Sequence, residues 1–431
     1  MNKLLAIFKI PELRTKMLFV VAALVIFRLA ANIPVTDASL IQQFLQNPTG
    51  SQAAQGQLFN LLNLFTGGTI ENFSVVMLGL GPYITAVIIM QLLTMIFPKM
   101  KQLQQEEGEQ GRQKFNQYGR LLTVPLSILQ GFGLITLFSR QGLMGAMTSF
   151  ELATTILVVA AGGLFLMWLG ELITEKGIGN GVSLLIFAGI VARLPGAIQQ
   201  SILQYQQDPG LIDDFIIFGV VALIVIAGVV FITEAHRSVP VSYAKQVHGR
   251  QVSGGVSTYL PLKVNQAGVI PIIFALSLLL FPGLVAGFLQ SATTPTLTNI
   301  AITLQRIFDP TSTVYAISYF ILVVAFTYFY TSVTFDPKMV SENLQKQGGF
   351  IPGVRPGHET VRFLSKTVAR ITLAGALFLG VIAVLPTVIQ SATGISSLAI
   401  GGTAVLIVVS VAIETARQIE AQLTMREYEG Y

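Results

Sequence analysis

The sequence has little of what a soluble enzyme requires. It contains no cysteine and three histidines, and only 11% of its 431 residues are charged, against about 25% in an ordinary soluble domain. The absence of cysteine excludes disulfides, thiolate nucleophiles and cysteine-ligated metals. The histidines, His236, His248 and His358, all lie in polar stretches, which argues against a histidine metal centre among the apolar segments. We expect neither a metal nor a cofactor.

Long apolar runs are what the sequence does have, and hydrophobic residues make up 52% of it. A membrane-spanning helix needs about 20 predominantly apolar residues. Helices are expected because a lipid-facing backbone must satisfy its own hydrogen bonds, and the runs lack the alternation of barrel strands. The pattern predicts an all-α polytopic membrane protein with ten transmembrane helices, near residues 17–33, 72–97, 119–138, 152–173, 181–199, 212–234, 266–288, 312–334, 370–389 and 397–415.

The basic residues predict the orientation of these spans. Of the 26 Lys and Arg residues, only Arg140, Arg193 and Arg306 fall in one set of alternate loops, and Arg28 lies within the first span. All the others lie in the termini or in the opposite set of loops. Basic residues accumulate on the cytoplasmic side of membrane proteins. Both termini are therefore predicted to be cytoplasmic, which requires an even number of spans.

Two of the predicted cytoplasmic loops, 235–263 and 335–369, are long, basic and rich in turn-forming residues. Their sequences include HGRQVSGGVS and GGFIPGVRPGHET, which favour protruding, hairpin-like structures. We interpret both loops as docking sites for a partner. The alternative is that they only carry the charges that set the topology.

The outer segment 34–71 contains no Lys or Arg and includes QLFNLLNLFTGG at 57–68. This piece has a helical pattern, is too short to span a membrane, and ends at a glycine pair suited to a helix C-cap. Such a helix is tolerated at membrane depth only against protein or a water-filled cavity. The segment therefore indicates a cavity on the outer side.

The second and seventh spans are interrupted by polar, glycine and proline residues. Such interruptions are compatible with ordinary packing kinks, or with two helices whose contact can open. Paired interruptions are also typical of two inverted halves around a pathway, here 1–199 and 200–431. The interrupting residues are Gly79, Gly81, Pro82, Thr85 and Gln91 in the second span, and Asn265, Gly268 and Pro271 at the seventh.

The span interiors are almost free of charged residues, although ion-coupled transporters usually place such residues there. No HExxH, Walker or Ser/His/Asp arrangement occurs, and GLGP at 79–82 is too short for a phosphate loop. We therefore predict a passive channel rather than an enzyme. A secondary transporter with inverted repeats and a structural scaffold are the alternatives.

Several long motifs resemble the SecY family, the pore-forming subunits of the bacterial-type Sec protein translocase. They occur in the family's order and cover essentially the whole chain. They read LGLGPYITAVIIMQLLT (78–94), LFLMWLGELITEKGIGNGVSLLIFAGIVARLP (164–195), LPLKVNQAGVIPIIFA (260–275), FIPGVRPGHET (350–360) and GGTAVLIVV (401–409).

This resemblance implies a channel of two inverted five-helix halves around a central pore, through which unfolded secretory chains cross and from which apolar segments pass into lipid. It further implies SecE and SecG as partner subunits and the SecA motor ATPase or a translating ribosome as docking partners. The host membrane would be a bacterial plasma membrane or a thylakoid membrane, with the termini then stromal.

The resemblance also assigns roles to individual residues. A hydrophobic ring dewets a pore without binding any passing sequence, and the ring residues would be Leu80, Ile84, Ile186, Ile273 and Ile407. The helix at 57–68 would be a plug with the apolar residues Leu58, Phe59, Leu61, Leu62, Leu64 and Phe65. The lateral gate would carry Thr85, Gln91 and Asn265, while Arg250 and Arg355 would dock partners, including phosphates of ribosomal RNA.

Overall fold

The structure is a computed structural model that describes most of the chain. The described residues are 10–35, 66, 68–70, 72–105, 107–140, 144, 148–207, 210, 212–243, 246–248, 251–253, 257–289, 295–309, 312–393 and 401–429. The helices are α1 (Pro11–Ala30), α2 (Gly81–Ile96), α3 (Pro98–Gln105), α4 (Gly108–Arg140), α5 (Ser149–Lys176), α6 (Gly181–Gln207), α7 (Ile212–Glu234), α8 (Ile270–Leu289), α9 (Pro295–Ile307), α10 (Thr313–Thr334), α11 (Pro337–Lys346), α12 (His358–Thr393) and α13 (Gly401–Glu429). The strands are β1 (His236–Tyr243), β2 (Gln246–His248), β3 (Gln251–Ser253), β4 (Ser257–Lys263) and β5 (Gly349–Phe350).

Each of the ten predicted spans overlaps a helix, and the span 212–234 agrees with α7 at both ends. The start of α5 is encoded locally. The Thr148 side chain accepts a hydrogen bond from the Glu151 N–H, and Glu151 accepts one from the Thr148 N–H. This capping box satisfies two of the N–H groups at the helix start. The predicted boundary between the two halves, at 199/200, falls inside α6, and the division into halves stays a prediction.

Six of the helices are individually long and apolar enough to cross a membrane, by their length and composition. A seventh span results if α2 and the following helix, which are bent by 116° at Phe97, are counted together. The helix α1 falls short because Arg14, Lys16 and Arg28 interrupt its apolar surface. These counts refer to the described residues.

The predicted span 72–97 is wrong in its first residues, because helix α2 begins only at Gly81. The preceding segment 72–80, which we call the buried turn segment, is a series of turns. It is held by an antiparallel bridge in which the Val35 N–H donates to the Phe73 carbonyl at 2.9 Å and the Val75 N–H to the Ile33 carbonyl at 3.0 Å. Non-helical backbone is tolerated at membrane depth only inside protein, and Phe73 is fully buried.

A three-stranded sheet lies at one end of the helices, which we call the sheet side. Strand β1 pairs antiparallel with β4 from His236↔Lys263 to Ser242↔Ser257, and its far end pairs with β5 at Ser242↔Phe350. The loop 235–263 is therefore a hairpin, as its turn content predicted, and its tip carries the small β2–β3 ladder. The loop 335–369 contributes β5 to the same sheet, so the two loops form one unit.

The predicted loop 335–369 is also shorter than expected. It contains the helix α11, and α12 already begins at His358, twelve residues before the predicted span. A shared core of Val239, Leu262, Ile351 and Leu364 packs the sheet against the start of α12. The first three turns of α12 therefore belong to the sheet side rather than to a loop.

An ion pair ties α13 to the base of the sheet. Arg417 contacts Glu234, the last residue of α7, with Nε to Oε1 at 2.8 Å and Nη2 to Oε2 at 2.6 Å. Its Nη2 also donates to the Thr233 carbonyl at 3.3 Å. The bidentate geometry fixes the orientation of both side chains.

We expect this pair to contribute only modestly to stability, because the Glu234 side chain is 52% exposed. Glu234→Gln and Arg417→Gln should each lower the free energy of unfolding by about 0.2–1 kcal/mol. A double-mutant cycle of unfolding measurements in detergent isolates the coupling between the two residues. A coupling of several kcal/mol would contradict the expected solvent screening.

Candidate functional site

Five aliphatic side chains from distant parts of the sequence belong to one large buried apolar core. Each lies at, or within two turns of, the start of its helix. All five belong to the same continuous apolar core, and their exposed fractions are 8% or less. We call this set the aliphatic cluster: Leu80 and Ile84 at the start of α2, Ile186 in α6, Ile273 in α8 and Ile407 in α13.

The backbone before α2 places the first two members of the cluster. Gly79 has φ of +56°, a conformation that glycine adopts without strain, and Pro82 suits the first turn of the helix. The Ile84 N–H donates to the Leu80 carbonyl at 2.9 Å. Leu80 and Ile84 are thus one helical turn apart and point to the same core.

A polar contact links α2 to α4 next to this cluster. The Thr85 hydroxyl donates to the Gly81 carbonyl at 2.9 Å and accepts a hydrogen bond from Gln130 Nε2 at 3.3 Å. Gln130 was not among the residues singled out from the sequence. Gln130 could have been found because it places an amide within the apolar run 119–138. A polar residue in a membrane span usually forms a hydrogen bond to another helix.

The other two predicted gate residues, Gln91 and Asn265, each have a buried acceptor oxygen without a hydrogen-bond partner among the described residues. Asn265 Nδ2 donates to the Gly268 carbonyl at 3.3 Å, whereas its Oδ1 has no partner, and neither has Gln91 Oε1. Within the described residues, no hydrogen bond joins Asn265 to α2, although α8 packs against both α2 and α4. The structure therefore brings Thr85 together with Gln130, and not with Asn265.

The segment that contains Asn265 joins the sheet to α8. The Val264 N–H donates to the Ala235 carbonyl at 3.0 Å. A glycine in α12 permits close approach here, because a Cβ at Gly375 would lie 2.7 Å from the Val264 carbonyl oxygen. Gly268, with φ of +61°, then turns the chain into α8. Only this short segment separates strand β4 from the helix that carries Ile273.

Of the remaining predicted site residues, only Arg355 lies in the part of the chain that the structure describes. Arg355 is exposed in the turn between β5 and α12, and its carbonyl accepts a hydrogen bond from the Thr360 hydroxyl at 2.9 Å. Arg250 lies outside the described residues. So do all six predicted plug residues, Leu58, Phe59, Leu61, Leu62, Leu64 and Phe65.

The described interior is uncharged. Its buried polar residues are Thr, Ser and a single Asn, with no Asp, Glu, Lys or Arg among them. No group of three or more His, Asp or Glu residues in the described part of the chain is arranged to hold a metal ion. The long apolar helices and the uncharged interior of the described part of the chain define a polytopic helical membrane protein.

Comparisons with known proteins identify the family. The SecY family model matches residues 74–416. The Thermus thermophilus protein translocase subunit SecY is 44% identical, over 98% of this chain and 95% of its own. Two solved structures share the fold at lower identity. A protein-conducting channel has a TM-score of 0.64 at 21% identity, covering 94% of this chain and 91% of its own. Sec61 of the canine ribosome–channel complex has a TM-score of 0.61 at 22% identity, with the same coverage.

The chain belongs to the SecY family. It is a multi-pass membrane subunit of a protein translocase, and its family forms channels rather than catalysing a reaction. The all-α polytopic fold expected from the sequence is confirmed.

Proposed function

We propose that the aliphatic cluster is the constriction of a gated pore for unfolded polypeptides. The supporting observation is that five bulky aliphatic side chains, contributed by α2, α6, α8, α13 and the residue before α2, converge in one buried core. An apolar constriction excludes water and ions while making no specific bond to a passing chain. In this proposal α2 and α8 border a lateral gate through which apolar segments enter lipid.

The polar residues beside the cluster suit a gate that opens. A hydrogen bond between membrane helices contributes only about 0.6–2 kcal/mol, so the contact between Thr85 and Gln130 can break and re-form. We assign Gln130 to the gate together with Thr85, Gln91 and Asn265. The unpaired acceptors of Gln91 and Asn265 are available for new hydrogen bonds when the helices rearrange.

The loops 235–263 and 335–369 with their shared sheet, which we call the sheet unit, are the proposed docking site for partners. This unit lies between the end of α7 and the starts of α8 and α12, and Arg355 is exposed on it. One relative, canine Sec61, is known from a ribosome–channel complex, which supports a ribosome as partner here, with Arg250 and Arg355 meeting RNA phosphates. SecA, SecE and SecG are the other proposed partners. The sheet side and both termini would face the cytoplasm of a bacterium, or the stroma beside a thylakoid.

A crosslinking experiment tests the pore assignment. A cysteine placed at Ile84 or Ile273 is unique, because the native chain has none. We expect both positions to crosslink to a cysteine in an arrested secretory precursor, and only when SecA or a ribosome drives the precursor. Leu223, 68% exposed on α7, supplies the matched lipid-facing control.

The control position should give far less crosslinked product than Ile84 and Ile273, because a chain in the pore has no access to lipid-facing side chains. Efficient translocation with no crosslink at Ile84 and Ile273 would show that the chain crosses elsewhere. Equal crosslinking at Leu223 would show that the reaction does not report the pore.

A further inference from the structure

Helix α12 carries three basic residues on one face where it leaves the apolar part of the molecule. Arg362, Lys366 and Arg370 are spaced four residues apart, and all three are exposed. Residues four apart lie on the same face of a helix. We call these three residues the basic stripe; it extends over about 12 Å at 1.5 Å per residue.

The same helix face continues as an apolar surface. The next exposed residues along it are Leu373, Leu377, Val381 and Val388, with exposed fractions between 44% and 57%. These residues continue the three- and four-residue spacing of the basic stripe. This apolar face is not covered by the described residues, so lipid can reach it in the single chain. The basic stripe therefore lies directly beside an apolar surface that is open to lipid.

Two further observations place the boundary of the membrane near Arg370. The hydroxyl of Tyr328 on α10, a residue 37% exposed, donates to the Ala369 carbonyl at 3.2 Å, and tyrosines of this kind concentrate at membrane–water interfaces. Helix α12 is also longer than a span requires: the candidate span His358–Ile389 has 32 residues, whereas a bilayer needs about 20. The surplus of about 12 residues matches the portion that carries the basic stripe.

The charge of the basic stripe is not neutralised by the residues that the structure describes. Among the described residues, none of the three basic side chains forms an ion pair. The only acidic residue of α12 is Glu359, in the helical turn farthest from the membrane. Basic groups next to a membrane attract anionic lipids by about 1 kcal/mol each, within a Debye length of the surface.

We propose that Arg362, Lys366 and Arg370 bind the phosphate groups of anionic phospholipids in the leaflet on the sheet side. The lipid's acyl chains would lie along the apolar surface from Leu373 to Val381, and its phosphate would meet Arg370 and Lys366 first. This lipid site is distinct from the proposed docking of partners at Arg355, which lies beyond the start of α12. It depends on the membrane-spanning fold and not on the proposed pore.

Lipid selectivity beside the basic stripe provides the test. The chain, purified with its accompanying subunits, carries Leu373→Cys labelled with a fluorophore and is reconstituted with brominated phosphatidylglycerol or brominated phosphatidylcholine at equal fractions. We expect phosphatidylglycerol to be enriched beside the label by at least about fivefold, the ratio that about 1 kcal/mol from a single basic residue produces. High salt should lower this ratio.

A pair of matched variants identifies the responsible charges. Lys366→Gln with Arg370→Gln should bring the ratio close to one. Lys346→Gln with Arg355→Gln removes the same two kinds of charge at the distal end of the sheet unit, and should leave the ratio unchanged. The exchange Lys366→Arg with Arg370→Lys keeps the charge and should keep the selectivity. A misfolded variant would alter quenching by both lipids together, whereas the proposal concerns their ratio.

Three results would overturn the proposal. An equal effect of both lipids on the parent protein would show that the basic stripe has no preference for anionic lipid. Absence of quenching by either lipid would show that a protein covers this face. An unchanged lipid ratio in the Lys366/Arg370 variant, combined with loss of its ribosome binding, would show that the basic stripe docks RNA instead.

Discussion

Gly162→Ala should prevent this protein from folding stably. Gly162 lies in α5 against the buried turn segment, and a Cβ built on it would lie 2.0 Å from the Val75 carbonyl oxygen. Neither group can be relieved by a side-chain rotation, because the nearest atom is backbone. Overpacking a core with one extra methyl group commonly costs about 1–3 kcal/mol, and a clash with fixed backbone should exceed that range.

The neighbouring residue provides the control for this experiment. A Cβ at Gly163 would make only ordinary contacts, the nearest at 3.8 Å, so Gly163→Ala should be tolerated. The measurement is the yield of monodisperse protein after membrane extraction, followed by its thermal unfolding. If Gly162→Ala and Gly163→Ala behave alike, the buried turn segment does not pack against α5 as described.

Ile273→Ser should make the resting channel leak ions. If the aliphatic cluster is the constriction, the hydroxymethyl group of serine in place of the larger sec-butyl side chain both widens it and gives water a hydrogen-bonding group there. We expect the resting ion conductance of reconstituted protein to rise at least about tenfold, which corresponds to a barrier lowered by about 1.4 kcal/mol. Planar-bilayer recordings without a precursor or motor measure this directly.

The adjacent isoleucine separates a leak from simple destabilisation. Ile272 precedes Ile273 in α8, is 0% exposed against 6%, and faces a different direction because successive helix residues are about 100° apart. Ile272→Ser should lose a similar amount of stability, about 2–5 kcal/mol for a large buried side chain, without raising the conductance. Equal leaks from both variants would remove the support for the assigned constriction.

The parts of the fold that were predictable from the sequence are those encoded locally. The ten helices follow from apolar runs, and the start of α5 follows from Thr148 and Glu151, three residues apart. The hairpin 235–263 follows from its turn residues. The start of α2 does not: residues 72–80 are as apolar as a span, and their bridge to Pro34 joins positions that no local pattern relates.

In the candidate site, the residues that could be predicted are those that occupy recognisable positions in the family motifs. The five members of the aliphatic cluster came from motif positions, because each isoleucine alone looks like ordinary core. Gln130 was missed since its partner, Thr85, is 45 residues away. The contribution of residues 349–350 to the sheet was missed for the same reason, as was the pair of Arg417 with Glu234. Each depends on how the helices pack rather than on neighbouring residues.

The shared sheet has a consequence for biosynthesis. Strand β1 ends at Tyr243, but its partner β5 begins only at Gly349, so the sheet cannot be completed until two further helical spans, α8 and α10, have been made. At about 5–20 residues per second, the interval is on the order of 5–20 seconds. During synthesis, the sheet therefore lacks β5 while the later spans are still entering the bilayer. The complete three-stranded sheet forms only when most of the helices have been made.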